Sequence, residues 1–94
     1  MNKELTKRVT EETLNVINAR GAVTALDLTL AVDSKIFPLE LVVTEYLEFL
    51  ETLVRIGAIV EIQYMLKSQP DRYKVIYFPA GTVCRAWIPE FPTV

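Results

Sequence analysis

One stretch of the chain, from Pro38 to Gly57, combines a helix start signal, a helical apolar spacing and a helix stop signal. Pro suits the first position of a helix because its missing N–H would be unpaired there, and Gly is common just after a helix end because it accepts a left-handed conformation. At about 100° per residue, the apolar side chains fall in one arc and the polar side chains fall opposite. The stretch therefore predicts an amphipathic helix with a largely acidic outer face. Its apolar arc contains Val42, Tyr46, Phe49, Leu50, Leu53 and Val54, and its polar arc contains Glu40, Thr44, Glu45, Glu48, Glu51, Thr52 and Arg55.

Two further helices are predicted before this one. The first runs from Lys3 to Arg20, with apolar residues at helical spacing and Gly21 as its stop. The second is short, from Ala25 to about Val32, and Thr24 is a typical N-cap residue with an acidic residue three positions later. Because the second helix is apolar on all sides, we expect it to be buried between its neighbours.

The period changes from helical to alternating after the third helix. Residues 59–67 and 72–78 predict two strands of a β-hairpin, with a turn at residues 68–71. The short link at residues 21–23 could add one or two residues to the edge of that sheet. The last twelve residues, VCRAWIPEFPTV, leave two alternatives open: a short helix capped by Thr82, or another strand from Val83 to Ile88.

Composition and length limit the organisation and the chemistry. A chain of 94 residues predicts a single domain, with a core at about residues 3–78 and a C-terminal extension at residues 79–94. It contains no His and one Cys, Cys84, which excludes His-based catalysis and a Cys-based zinc site. We therefore expect no enzyme activity, no catalytic residues, no cofactor and no metal. The polar N-terminus and the lack of a long apolar run predict a cytoplasmic protein.

The order of these elements resembles a winged helix-turn-helix domain over about Lys3 to Phe78. The segment VTALDLTLAVDSKIFPLELVVTEYLEFLETLVRIGAIVEI is similar to the usual run of second helix, third helix and first wing strand. The resemblance implies an α+β fold: a small winged-helix domain with three helices followed by a β-hairpin wing, here with a C-terminal aromatic tail. In DNA-binding members of this superfamily, the third helix enters the major groove.

The third helix of this chain departs from the DNA-binding pattern. The positions that would meet base edges and phosphates include no Arg, Lys, Asn or Gln, and three of them are carboxylates, which phosphate repels. The same face is suited to docking a basic protein partner, although solvated surface is the simpler interpretation. Leu41 either tucks against the preceding loop or forms a contact patch with Ile36 and Phe37. These partner-binding candidates are Glu40, Leu41, Thr44, Glu45 and Glu48.

The wing is the part that still suits nucleic acid. Lys67, Arg72 and Lys74 flank the hairpin tip and could contact a phosphate backbone, although hairpin tips are commonly charged simply because they are solvated. The alternative function is therefore a DNA-binding transcriptional regulator that uses its wing.

Self-association is the other specific expectation, because 51% of the residues are hydrophobic and a core this small leaves apolar surface outside it. A well-filled monomer core would account for the same composition. The candidate dimer contacts lie on the first helix and the aromatic tail: Leu5, Val9, Trp87 and Phe91. The sequence thus favours a non-catalytic winged-helix binding module that acts by protein–protein association, as a homodimer, as an adaptor through its acidic helix face, or both.

Overall fold

A computed structural model describes residues 1–66 and 69–82, with the side chains of residues 1–63 and 74–82. Its described part is a small α+β arrangement of three helices and one antiparallel sheet with the strand order β1-β3-β2. The predicted order of helices and strands is confirmed for the described residues. The elements are α1 (Lys3–Arg20), β1 (Val23–Thr24), α2 (Ala25–Ile36), α3 (Val43–Arg55), β2 (Ile59–Leu66) and β3 (Gln69–Pro79).

The bounds predicted for α1 are confirmed at both ends. The Asn2 side chain accepts a hydrogen bond of 2.8 Å from the backbone N–H of Leu5, which satisfies one of the free donors of the first turn. At the other end, Gly21 adopts φ 77° and donates its N–H to the carbonyl of Ile17 at 2.8 Å. A left-handed glycine is a common way to end a helix because it has no Cβ to clash.

The second helix begins where it was predicted and ends one turn later. Thr24 caps α2, its hydroxyl accepting from the N–H of Asp27 at 3.2 Å. Residues 33–35, which follow the predicted end at about Val32, are helical, and α2 continues to Ile36. Val32 and Ile36 are four residues apart and both fully buried, so the extra turn places a second apolar side chain on the core side of the helix.

The predicted start of α3 at Pro38 is wrong, because the helix begins at Val43. Two backbone N–H groups of the segment before α3 bond to groups of α2. The N–H of Leu39 donates to the carbonyl of Ile36 at 3.0 Å, and the N–H of Leu41 donates to the Asp33 carboxylate at 3.3 Å. The side chain of Asp33 therefore joins the end of α2 to the segment that precedes α3.

The predicted stop at Gly57 is confirmed. Gly57 adopts φ 81°, and its N–H donates to the carbonyl of Val54 at 3.1 Å. The N–H of Ala58 donates to the carbonyl of Leu53 at 2.9 Å. These two bonds form a Schellman motif, which satisfies the last carbonyls of the helix and turns the chain towards β2.

The hairpin forms as predicted, but its turn is shorter. Strand pairing continues to Leu66 opposite Gln69, so residues 69–71 belong to β3 and not to the predicted four-residue turn. The two-residue β1 pairs with β3, Val23 lying opposite Tyr77, and forms one edge of the sheet as expected.

The core lies between the three helices and one face of the sheet. Because side chains alternate along a strand, Ile59, Val75 and Tyr77 share the face that packs against the helices. None of the helices in the described part of the chain is long and apolar enough to cross a lipid bilayer. The buried cluster consists of Val9, Val16, Ile17, Val23, Leu28, Val32, Ile36, Tyr46, Leu50, Leu53, Ile59 and Tyr77.

Candidate protein-binding surface

Two leucines of α2 face away from the core. Leu26 is 68% exposed and Leu30 is 60% exposed, whereas Leu28 is fully buried. The expectation that α2 is buried on all sides is therefore wrong. Leu26 and Leu30 lie one helical turn apart and share a side of the helix, and Phe37, seven residues after Leu30, follows on that side at the helix end with 80% exposure. We call Leu26, Leu30 and Phe37 the α2 stripe.

The cause is the small number of neighbours that α2 has. Its core side, which carries Leu28, Val32 and Ile36, packs with α1 and the sheet. In the described residues no third layer covers the opposite side. Within the described residues, an apolar side chain on that side therefore stays in contact with water.

More apolar side chains are exposed where the chain passes from α2 into α3. Val43 and Leu47 are four residues apart on α3, and Leu39 and Val42 precede the helix. The bond between Asp33 and the N–H of Leu41 holds this segment against the end of α2. We use the name α2–α3 apolar surface for the α2 stripe and these residues, grouped by their exposure and by their place in the chain: Leu26, Leu30, Phe37, Leu39, Val42, Val43 and Leu47.

Val42 is at the N-cap of α3, where its apolar side chain cannot cap the helix. It is the N-cap residue of α3, its side chain makes no cap hydrogen bond, and 56% of it is exposed. Ser, Thr, Asn and Asp are preferred at such positions, and Val is among the poorest choices. Neither helix capping nor burial in the core accounts for a valine at this position.

The predicted acidic face of α3 is exposed, with one correction. Thr44, Glu45 and Glu48 lie on the outer side of the helix, and the Met1 ammonium group lies 3.5 Å from the Glu45 carboxylate. Glu40 is exposed too, but it lies in the loop before α3 and not on the helix. Leu41 is half-buried and packs against the core, so of its two predicted roles the structure places it in the tucked one.

Acidic groups dominate the charge of this region. Between the first residue of α2 and the last of α3 the chain has six carboxylates and two basic residues. Lys35 extends from the side of α2 opposite the stripe, with its Nζ 3.9 Å from the Glu12 carboxylate, and Arg55 lies in the last turn of α3. The exposed carboxylates are Asp27, Asp33, Glu40, Glu45, Glu48 and Glu51.

The other candidate residues do not form a second site among the described side chains. Lys74 is exposed on β3, while Lys67 and the side chain of Arg72 lie outside the described residues. Val9 is fully buried in the core of its own domain, so its assignment as a dimer contact is wrong, and Leu5 is half-buried against the same core. Trp87 and Phe91 lie outside the described residues, as does the predicted helix or strand after Thr82.

Two buried tyrosines are held in their neutral forms. Burial raises the pKa of Tyr46 to about 12, although its hydrogen bond with Thr13 acts in the opposite direction. Burial, followed by the nearby carboxylates of Glu61 and Glu51, raises the pKa of Tyr77 to about 12. Neither hydroxyl ionises near neutral pH.

Within the described residues, no group of three acidic or Cys side chains is close enough together to hold a metal ion.

We compared the chain with models of protein families, with curated proteins and with solved structures, and none of the three comparisons found a match. The function must therefore be inferred from the surface and charges of the chain itself. Sequence reasoning missed the α2 stripe, although a signal for it was present. Leu26 and Leu30 are one helical turn apart, and so are Leu28 and Val32. The two pairs lie about 200° from each other around the helix, and a three-helix domain can cover only one of the two pairs.

Proposed function

We propose that this chain is a non-catalytic winged-helix module that acts by binding another protein through its α2–α3 apolar surface. The helix and strand order and the sheet order β1-β3-β2 are compatible with the winged-helix arrangement that the sequence resembles. The wing in this proposal is the β2–β3 hairpin.

The observation that carries the proposal is the exposure of Leu26, Leu30 and Phe37 on one side of one helix. Single exposed apolar residues are ordinary, but several on one surface commonly mark an interaction site. Full burial of a Leu or Phe side chain stabilises a complex by about 1.5–3 kcal/mol. The partly exposed side chains of the stripe can therefore contribute several kcal/mol together when a partner covers them.

The charges of the same region support a protein partner over DNA. Glu45 and Glu48 lie on the outer side of α3, where a DNA-reading helix would present cations or amides. Carboxylates next to a phosphate backbone are repelled, and salt weakens this repulsion without reversing it.

The proposal is tested by site-specific photo-crosslinking in the cells that make the protein. A photoreactive phenylalanine analogue replaces Leu30 in one variant and Asn18, an exposed residue of α1, in the control. We expect a discrete protein adduct several-fold more abundant from position 30 than from position 18, and we expect the added substitution Leu26→Ser to reduce it. The mass of the adduct distinguishes a second copy from a different protein. Equal cross-linking at both positions would contradict the proposal.

A further inference from the structure

We infer that the partner covering the α2–α3 apolar surface is an amphipathic helix with Lys and Arg residues beside its apolar side. This inference rests on the proposed function and adds the chemical class of the partner. It follows from the shape of the α2 stripe and from the charges around it.

The stripe has the length and spacing of a helix-packing ridge. Leu26 and Phe37 are eleven residues apart, which corresponds to about 16 Å along a helix axis, or three turns. Side chains repeated at one-turn spacing form a ridge that packs between the ridges of a second helix. A partner helix with apolar residues at i, i+4, i+7 and i+11 can cover the stripe along its whole length.

Acidic side chains lie within and beside this stripe. Asp33 comes three residues after Leu30 and four before Phe37, so it lies on the same side of α2. Asp27 follows Leu26 in the chain and lies about 100° further around the helix, at the flank of the stripe. Glu40 follows in the loop. The only basic residue between these carboxylates in the chain, Lys35, extends from the opposite side of α2 towards Glu12. Partner cations would therefore meet carboxylates on a side where α2 has no cation of its own. Arg8 of α1 reaches the end of α2, where its guanidinium donates to the carbonyl of Lys35 at 3.4 Å.

The same charges argue against other occupants. A second copy that docked by the same surface would place carboxylates opposite carboxylates, and like charges across an interface disfavour association. An anionic lipid surface would meet the same repulsion. With a basic amphipathic helix, both the burial of apolar surface and the attraction between charges favour binding.

The test uses three fluorescent peptides of about 18 residues, or five helical turns. The first has Leu at i, i+4, i+7 and i+11 with Lys between, the second has Glu in place of Lys, and the third has the first composition with the Leu spacing scrambled. Anisotropy titrations with the intact chain measure their affinities. We expect the Lys peptide to bind at least about tenfold more tightly than the Glu peptide, and a rise to about 0.3 M salt to reduce this difference. The scrambled peptide should bind weakly.

Variants of the intact chain locate the binding. Leu26→Ser with Leu30→Ser should weaken the Lys peptide about tenfold or more, whereas Ile56→Ser, at an exposed apolar position at the far end of α3, should have little effect. Asp27→Asn with Asp33→Asn should remove most of the preference for Lys over Glu. Asn at position 33 retains the oxygen that accepts from Leu41, so this change removes charge while preserving the connection.

Several outcomes would overturn the inference. Equal affinity for the Lys and Glu peptides would show that charge does not select the partner, and binding that ignores Leu26→Ser with Leu30→Ser would place the peptide elsewhere. A chain that sediments as a dimer, and becomes monomeric in the Leu26→Ser/Leu30→Ser variant, would make a second copy the occupant. If the peptides fail but position 30 still cross-links to one protein, the partner class is wrong and the proposed function stands. If the peptides do not bind and position 30 does not cross-link, the inferred partner class and the proposed function are both wrong.

Discussion

At the scale of single residues, the contact between Thr13 and Tyr46 connects α1 to α3 inside the core. Their hydroxyl oxygens are 2.8 Å apart, and both residues are fully buried. Burial costs each hydroxyl its hydration, and the shared hydrogen bond offsets that cost only while both are present. The pair also helps set where the outer faces of α3 lie relative to α1.

Removing both of these hydroxyls should therefore destabilise the domain by less than the sum of the two single removals. Tyr46→Phe leaves the Thr13 hydroxyl buried without its partner, and we expect the free energy of unfolding to fall by about 1–3 kcal/mol. In Tyr46→Phe/Thr13→Val both polar groups are gone, so the loss should be smaller than the sum of the two single losses. Urea denaturation of the four proteins measures this coupling. Strictly additive losses would show that the hydrogen bond contributes nothing.

At the scale of elements, the N-cap position of α3 has an exposed apolar side chain where a polar one would make the helix more stable. The residue before the helix is Val42, whose side chain cannot accept a hydrogen bond from the free N–H groups of the first turn. Glu45 stands three residues later, where a Ser or Thr at position 42 would complete a capping box. The chain thus has an apolar side chain in water at a position where a small polar one would stabilise the helix.

We expect Val42→Ser to raise the free energy of unfolding by about 1 kcal/mol, because the hydroxyl can accept from an N–H of the first turn. Val42→Ala is the matched control, since it removes the same apolar surface and adds no cap, and it should change stability little. Thermal and urea unfolding give both values. If the serine variant is no more stable than the alanine variant, the free N–H groups of the first turn of α3 gain nothing from a hydroxyl at position 42.

At the scale of the whole molecule, charge and apolar surface have an uneven distribution. The chain has a net charge of −2, and exposed carboxylates are concentrated on α2, α3 and the loop between them. The exposed large apolar side chains of the described residues lie mainly in this region too. This combination suits a basic protein surface and opposes a polyanion.

Chromatography on heparin and on random-sequence duplex DNA separates the two functional hypotheses. We expect the chain to elute without retention at low salt, because phosphate and sulfate groups are repelled by the α2–α3 region. Retention that disappears in the variant Lys67→Ala/Arg72→Ala/Lys74→Ala would instead support the DNA-binding alternative. Retention that persists in that variant would locate the cations elsewhere.

Local signals predicted much of the described fold. The bounds of α1, the capping of α2 by Thr24 and the end of α3 at Gly57 all depend on contacts within a few residues, and the hairpin pairs two strands that follow one another in the chain. The acidic outer face of α3 was predictable for the same reason, since helical periodicity alone separates its two sides. By contrast, Val9 and Leu5 occur on an amphipathic helix in the sequence, and only packing shows that Val9 has no exposed surface left.

What the sequence determined by itself was therefore the order and type of the elements, because caps, periodicity and left-handed glycines act over short distances. The tertiary structure decided where α3 begins and which apolar side of α2 remains in water. Pro38 is a good first residue for a helix, yet α3 begins at Val43, and the N–H groups of Leu39 and Leu41 bond to the carbonyl of Ile36 and the Asp33 side chain. Burial of one side of α2 depends on which elements pack against it, and that depends on contacts between residues far apart in the chain.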